Sequence, residues 1–285
     1  MAGYLKLRKL IVLFDDNDIC IDGTTNMTVA DDQLGRFTAS GWDVSDIDGH
    51  EPDAVTTAIE NARETEKPSL IKCKTIIGKG APNKQGSSST HGAPLGEEEI
   101  AGAREVMNWP HAPFVVPDEV LSFWRKSGAR GGQARTSWEK RLSTDSNKAE
   151  FMRTTTGTLV NGLTGIINAH KKRCSEEEVS WATRKASGEV LAVLTETLPE
   201  MIGGSADLTG SVNTKTPSTQ PIAPGNFSGR YVHYGVREHA MAAVMNGIAL
   251  HGGFIPYGGT FLVFADYMKG AMRLSSLMGQ RVIYV

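Results

Sequence analysis

The alternation of apolar runs with helical patterns in the first third of the chain is the feature that most restricts its fold. Strand-like segments occupy residues 10–14, 42–47 and 69–77, and helical spacing fills residues 30–40 and 52–66 between them. Strand, helix and strand in this order form parallel units, with helices on the faces of the sheet. The pattern therefore predicts an α/β domain in which residues 10–14 form a fully buried strand.

A second group of elements follows a long central region. The polar loop at residues 81–94 is longer than an ordinary connection, as is typical of functional or disordered loops. Residues 128–147 are rich in Gly, Ser and charged side chains, which predicts a linker or a weakly packed connection. A new α/β region is predicted to begin near Trp181. The other predicted elements are helices at 97–108, from Pro117, at 184–197, 238–250 and 261–277, and strands in "MIGGSADLTGS", at 231–234 and as a buried strand in 280–285.

Composition excludes several classes of protein. The net charge is −2 over 285 residues with both signs interspersed, which argues against a nucleic-acid partner. No apolar run approaches the length of a membrane span, and the first nine residues are too charged for a secretory signal. The three cysteines, Cys20, Cys73 and Cys174, lie far apart, which favours a reducing compartment and no zinc site. A cytoplasmic enzyme is therefore expected.

The stretch "LIVLFDDNDICIDG" places acidic residues at the end of the first predicted strand. Ligands of open parallel sheets gather beyond the carboxyl ends of the strands, where Asp15, Asp16 and Asn17 lie. Hard divalent cations bind such oxygen donors, although Ile19 and Cys20 depart from a calcium-loop pattern. Asp and Asn are also ordinary turn residues. Residue type alone favours the plain turn over the cation site.

Three other positions have both a structural and a functional interpretation. Glu238 begins a predicted helix, where it either caps the helix or acts as a proton donor in an apolar surround. His91 lies in the polar loop, as a solvated side chain or as a ligand contact. Arg184 starts a helix, as a surface residue or as a bidentate phosphate ligand. In each case the pattern alone favours the structural interpretation.

A row of three aromatic residues also has both a structural and a functional interpretation. Phe261, Phe264 and Tyr267 recur at every third position and are predicted to share one helical face. Such a face is usually part of the core, and stacking on a planar ligand is the alternative. The chain contains no nucleophile triad, Walker A loop or Rossmann glycine fingerprint.

Taken together, the segments resemble transketolase in order and approximate spacing, over essentially the whole chain. The segments "YGVREHAM", "PYGGTF" and "THGAPLG" are specific to that family and to near relatives such as dihydroxyacetone synthase. The other matching segments are "LIVLFDDNDICIDG", "TRKASGEVL", "PEMIGGSADLTGS" and "YMKGAMRLSSLMGQR".

The resemblance implies a cytoplasmic thiamine diphosphate enzyme that moves a two-carbon ketol unit between sugar phosphates in the pentose phosphate pathway. It also implies Mg²⁺ (or Ca²⁺), a homodimer and two α/β domains of the thiamin-diphosphate-binding type joined by a helical linker. Residues 1–115 would be the C-terminal part of the diphosphate-binding domain, 116–180 the linker, and 181–285 the N-terminal part of the pyrimidine-binding domain.

The resemblance also assigns residues on the cofactor side of the site. Asn17 matches a metal ligand that touches the cofactor, and Ile19 matches the position that offers its carbonyl to the metal. Glu238 matches the catalytic glutamate that hydrogen-bonds the pyrimidine ring and controls its tautomer. Phe264 matches the aromatic side chain against the pyrimidine, with Phe261 and Tyr267 beside it.

On the substrate side, His91 matches the loop histidine near the diphosphate and the substrate, with a catalytic role. Arg184 and Ser211 match residues that bind the sugar phosphate. Asp207 lies in the matching loop near the site.

The family's glycine-aspartate-glycine metal motif and several further substrate residues are not found in these 285 residues. We therefore expect the sequence to be a fragment and the isolated chain to be inactive. Two alternatives remain open at this point. One is a transferase like dihydroxyacetone synthase, against which Arg184 argues mildly. The other is a non-catalytic chain that associates with a full-length partner.

Overall fold

The structure, a computed structural model, describes all 285 residues and divides into two compact units, Met1–Gly132 and Gln133–Val285. Each unit contains its own parallel sheet, so the predicted α/β class is confirmed. None of the helices combines the length and the apolar character that crossing a membrane requires.

The first unit contains a three-stranded parallel sheet in the order β1-β5-β4, as the alternating pattern predicted. A short antiparallel pair, β2 and β3, follows the first strand. The elements are α1 (Ala2–Leu5), β1 (Ile11–Asp16), β2 (Ile19–Cys20), β3 (Gly23–Thr24), α2 (Gln33–Ala39), β4 (Asp43–Asp48), α3 (Pro52–Glu64), β5 (Ser69–Lys74), α4 (Glu97–Val106) and α5 (Asp118–Thr144), the last of which runs across the division between the units.

The central strand and one helix form the core of this unit. Apolar spacing along α3 brings Ala58 and Ala62 against Ile71 and Cys73 of β5, and all four side chains are buried. Pro52 occupies the first turn of α3, where its missing N–H costs nothing. The small alanines allow the helix to lie close to the sheet, which fixes the strand ends that carry the site.

The prediction that residues 10–14 form a fully buried strand is wrong. The segment is a strand, but Leu13 is 50% exposed and Phe14 is 37% exposed. The cause is position: β1 pairs only with β5 and is therefore an edge strand. A run of apolar residues identifies a strand but does not show which elements cover its faces.

Of the two alternatives for residues 128–147, the linker is wrong up to Thr144, because α5 continues as a helix to that residue. The helix buries no residue, as expected for a weakly packed connection. Gly128 and Gly131 lie inside this helix with ordinary negative φ values. Glycine lowers helix stability without forbidding the helix, and the neighbouring Arg, Gln, Ala, Glu and Lys residues favour it.

The second unit contains a four-stranded parallel sheet in the order β7-β6-β8-β9. Its core includes Leu191, Leu198, Met201 and Tyr257, all buried. The elements are α6 (Lys148–Thr155), α7 (Leu163–Glu176), α8 (Thr183–Thr197), β6 (Met201–Ser205), α9 (Thr209–Val212), β7 (Tyr231–His233), α10 (Glu238–His251), β8 (Ile255–Gly258), α11 (Ala265–Leu277) and β9 (Ile283–Tyr284).

Two predictions for this unit need correction. The helix predicted for 261–277 begins as a 3₁₀ turn at Leu262–Phe264 and becomes α-helical only at Ala265, so Phe261 lies before it in extended backbone. The final strand is shorter than residues 280–285 and only half-buried, because β9 lies at the edge of the sheet.

Candidate functional site

The acidic turn after β1 is organised by Asn17. Its Oδ1 accepts a hydrogen bond from the Ile19 N–H at 3.0 Å, and its Nδ2 donates to Asp15 Oδ2 at 3.4 Å. Asp18, which lies between Asn17 and Ile19 in the sequence, has φ 62°, a left-handed conformation that Asp adopts more readily than most residues. The turn presents amide and carboxylate oxygens at the carboxyl end of the sheet.

Two lysines of β5 neutralise the carboxylates around this turn. Lys72 Nζ lies 3.0 Å from Asp46 Oδ2 and 3.4 Å from Asp16 Oδ2. Lys74 pairs with Asp18 and lies 3.5 Å from Asp16 Oδ2. Hydrogen bonds to Asp46 and to Asp18 raise the pKa of Lys72 and of Lys74 respectively above the ordinary value. Both lysines therefore stay charged at neutral pH.

A groove of about 690 Å³ opens at this end of the sheet. Asn17 and Ile19 line it, together with His50, whose Nε2 accepts a hydrogen bond from the Ile76 N–H at 2.9 Å. Sequence reasoning missed His50, although its place two residues after β4, at the carboxyl end of a parallel strand, was a usable signal. The remaining lining residues are Asp18, Thr24, Asp46, Ile47, Asp48, Lys74, Thr75, Ile76 and Gly86.

The structure places His91 outside the set of residues that line this groove. It is exposed and follows the 3₁₀ turn Ser88–Thr90, and its imidazole has no hydrogen-bond partner in the chain. The loop is held at its base by Glu99, whose Oε1 accepts from the N–H groups of Asn83 and Lys84 at 2.7 and 2.9 Å. Burial acts to raise the pKa of Glu99, but these hydrogen bonds outweigh it and lower the pKa.

In the second unit, Glu238 is the first residue of α10 and is half-buried. No side-chain hydrogen bond caps this helix, but the Glu238 carboxylate lies in its first turn, where it complements the helix dipole. Its carboxylate has no hydrogen-bond or salt-bridge partner within the chain. A half-buried carboxylate without a partner is available to a group outside the chain.

The aromatic row lies at the surface, which contradicts its assignment to the core. The ring centroids of Phe261 and Phe264 are 5.8 Å apart, as are those of Phe264 and Tyr267. Phe261 is 41% and Tyr267 67% exposed, whereas Phe264 is half-buried between them. Three neighbouring rings of this kind offer flat apolar faces to a planar partner.

Three polar residues lie on α8 and on the segment after β6. Arg184 is exposed in the first turn of α8, and its guanidinium has no partner in the chain. Ser211 is half-buried in α9. Asp207, which follows β6, is exposed and has φ 62°. All three follow or flank the carboxyl end of β6, the end of a parallel sheet where ligands bind.

Two family models match the chain, one in each part. The model described as transketolase, thiamine diphosphate binding domain, matches residues 1–164. The model described as transketolase, pyrimidine binding domain, matches residues 179–285. The fold and these matches define an α/β protein with two domains of the thiamine diphosphate-binding type. The chain belongs to the transketolase family.

Individual relatives show the same similarity. The transketolase of Sinorhizobium medicae (strain WSM419) is 56% identical over 289 residues, covering all of this chain and 41% of that enzyme. The structure of transketolase from Leishmania mexicana matches with a TM-score of 0.88 at 36% identity, covering 99% of this chain and 43% of that one. A Pichia stipitis transketolase in complex with sedoheptulose-7-phosphate matches with a TM-score of 0.88 at 35% identity, with the same coverage. The chain thus spans about two fifths of the length of these relatives.

Proposed function

We propose that this chain takes part in the thiamine diphosphate-dependent transfer of a two-carbon ketol unit between sugar phosphates, in the cytoplasm and within the pentose phosphate pathway. The observation that carries the proposal is the match of both family models along one chain, in the order diphosphate-binding then pyrimidine-binding. Residues 1–115, 116–180 and 181–285 remain the proposed domains and linker.

The residues of the second unit fit the pyrimidine part of the cofactor. The exposed rings of Phe261, Phe264 and Tyr267 supply an apolar surface for a planar ring. Glu238, which has no partner in the chain, would accept a hydrogen bond from the pyrimidine and so control the tautomer of that ring. When bound, thiamine diphosphate supplies the electron sink of the reaction, while the protein supplies orientation and electrostatics.

The metal fits less well. Asn17 and the Ile19 carbonyl are the proposed ligands for Mg²⁺ or Ca²⁺, but both are neutral, and the nearby Asp16 and Asp18 are paired with lysines. The chain has no group of three or more His, Cys, Asp or Glu side chains that could hold a metal ion. Since Mg²⁺ requires near-octahedral oxygen coordination, these two donors form only part of a site.

For the substrate, we assign phosphate binding to Arg184 and Ser211. The free guanidinium of Arg184 has the planar donor geometry that binds a phosphate through two hydrogen bonds. His91 and Asp207 are the proposed contacts with the sugar, His91 also serving the diphosphate and catalysis. The Pichia stipitis relative in complex with sedoheptulose-7-phosphate supports a sugar phosphate as the substrate class.

The proposed homodimer has support from the surface of the second unit. Leu262 is 90% exposed, Val263 69% and Tyr267 67%, and they lie together around the start of α11. An apolar area of this kind is typical of a surface covered by another protein.

The test of the function is a chimera in which this chain replaces the aligned region of the Sinorhizobium medicae transketolase. Ketol transfer from xylulose 5-phosphate should be retained. Glu238→Gln in the chimera should lower the rate about 100-fold or more, because the carboxylate is needed to control a proton. Glu196→Gln, at an exposed position of α8, is the matched control and should leave the rate unchanged. A folded, cofactor-loaded chimera without ketol transfer would contradict the proposal.

A further inference from the structure

Asn213 connects the two residues to which we have assigned phosphate binding. Its Nδ2 donates to the backbone carbonyl of Arg184 at 3.2 Å, and Asn213 lies two residues after Ser211. We infer that Asn213 is a positioning residue that sets the separation between the Arg184 guanidinium and the Ser211 hydroxyl. This inference rests on the proposed function, since it adds a determinant of phosphate selectivity to the same site.

The end of α9 is a fixed point in the second unit. The Tyr231 hydroxyl lies 2.9 Å from Thr209 Oγ1 and 2.8 Å from Thr214 Oγ1. The Tyr257 hydroxyl donates to the Thr214 carbonyl at 2.9 Å. Both tyrosines are on strands of the sheet and fully buried, as is Thr214. The segment that carries Ser211 is therefore anchored to the sheet on both sides.

The first turn of α8 has no such anchor of its own. Its N-cap, Ala182, provides no side-chain hydrogen bond, and the ammonium of Lys185 pairs within the helix with Glu189. The Asn213 amide makes the one hydrogen bond that reaches residues 183–186 from another element. Arg184 is thus held in place through its backbone, which leaves its guanidinium free.

Close packing supports the same connection. A Cβ on Gly188, one turn after Arg184, would lie 2.8 Å from the Asn213 Cβ and 3.2 Å from the Asn213 carbonyl oxygen. Only glycine fits at that distance, so α8 and the end of α9 are in direct contact. Asn213 itself has φ 52°, ψ 43°, a left-handed conformation that Asn and Gly tolerate best.

Because glycine also adopts this backbone conformation, the hydrogen bond of the Asn213 amide can be tested without loss of the left-handed turn. Asn213→Gly keeps the left-handed turn and removes the side chain, that is, the amide donor and the Cβ that lies beside Gly188. Asn213→Asp keeps the size of the side chain but places a carboxylate oxygen opposite the Arg184 carbonyl, where no donor remains. Asn226→Gly is the matched control, because the Asn226 Oδ1 organises an exposed turn at Ser228 in the same unit.

The experiment follows the Nε–Hε NMR signal of Arg184 in the ¹⁵N-arginine-labelled 285-residue chain, assigned with Arg184→Met. In the unsubstituted chain, xylulose 5-phosphate should shift this signal saturably, and xylulose should not. Asn213→Gly and Asn213→Asp should raise the Kd for xylulose 5-phosphate about fivefold, as expected for the loss of one hydrogen bond. Asn226→Gly should leave the Kd unchanged, and melting temperatures of the Asn213 variants close to that of Asn226→Gly would exclude a merely structural effect.

The possible failures are distinguishable. If xylulose 5-phosphate does not shift the Arg184 signal in the unsubstituted chain, the assigned phosphate-binding role fails and the inference falls with it. If the unsubstituted chain binds and both Asn213 variants bind equally well, only the positioning role of Asn213 is overturned.

Discussion

At the scale of single residues, the most buried ion pair in the second unit is Arg153–Glu200. Arg153 Nη1 and Nη2 donate to the two carboxylate oxygens of Glu200 at 2.8 and 2.9 Å. The side chains are only 15% and 5% exposed. Burial acts to raise the pKa of Glu200, but the hydrogen bonds from Arg153 outweigh it and leave the pKa below its usual value. The pair therefore joins α6 to the start of β6 as long as both groups are charged.

Arg153→Met should destabilise the second unit by about 3–5 kcal/mol, because it leaves a buried carboxylate without its partner. Urea unfolding measures this loss. Arg135→Met is the control: Arg135 pairs with Glu139 on an exposed helix face and should cost at most about 0.5 kcal/mol. The double variant Arg153→Met/Glu200→Leu should recover most of the loss, because no buried charge remains.

The same substitution has a pH signature. The folded-state pKa of Glu200 is lowered, so its charged form stabilises the folded state. This contribution to the free energy of unfolding is present above the unfolded-state pKa of about 4.3 and is lost as the pH falls through the folded-state pKa. In Arg153→Met, the hydrogen bonds from Arg153 no longer oppose burial, so the pKa of Glu200 rises relative to that in the unsubstituted chain. The loss of unfolding free energy in the variant, relative to the unsubstituted chain, should therefore shrink as the pH falls towards about 4. A deficit that is independent of pH would show that Glu200 is not the group responsible.

Local residue patterns predicted some residues of the candidate site and missed the contacts between residues that are distant in the sequence. The positions of Asn17 at a strand end and of Glu238 at a helix start follow from local context, whereas the absence of a partner for Glu238 does not. Lys74 reaches the carboxylates of the turn only because β1 pairs with β5. The hydrogen bond from the Ile76 N–H to His50 joins residues 26 positions apart. Such contacts are determined by the tertiary fold, so no local pattern could predict them.

At the scale of elements, α5 shows how composition can hide a helix. Its residues 128–132 contain three glycines, which predicted a linker, yet the helix continues through them. The amphipathic pattern of α3 predicted its extent almost completely, because a buried face against the sheet reinforces the spacing. Helix α5 has no buried residue, so its sequence carries no comparable signal.

The double variant Gly128→Ala/Gly131→Ala should stabilise α5 by about 0.5–1 kcal/mol for each site, because alanine loses less backbone entropy in a helix. No atom lies within 4 Å of the added Cβ at either position. Far-UV circular dichroism at 222 nm and the melting temperature should both rise. Gly162→Ala has equally open surroundings but φ 81°, and it should be destabilising instead. An unchanged dichroism signal in the double variant would support the linker that composition predicted.

At the scale of the whole molecule, the two parallel sheets were predictable from the order of strands and helices, but the exposed apolar side chains of the two units were not. Leu13 and Phe14 in the first unit and Leu262 and Tyr267 in the second are apolar and exposed. Apolar sequence predicts burial, but the partner that provides it need not be the same chain. The metal site is a parallel case, since Asn17 and the Ile19 carbonyl form only part of a coordination sphere.

The isolated 285-residue chain should therefore bind thiamine diphosphate weakly or not at all, and should show no ketol transfer. The turn at Asn17 supplies two neutral oxygen donors, and the carboxylates of Asp16 and Asp18 beside it are paired with Lys72 and Lys74, so a divalent cation lacks a complete set of anionic ligands. Calorimetric titration with thiamine diphosphate and Mg²⁺ measures the affinity, and an assay with xylulose 5-phosphate measures transfer. The full-length Sinorhizobium medicae enzyme, in the same buffer, is the positive control. Micromolar binding together with ketol transfer by the purified chain would refute this prediction and would show that these residues are sufficient for the reaction.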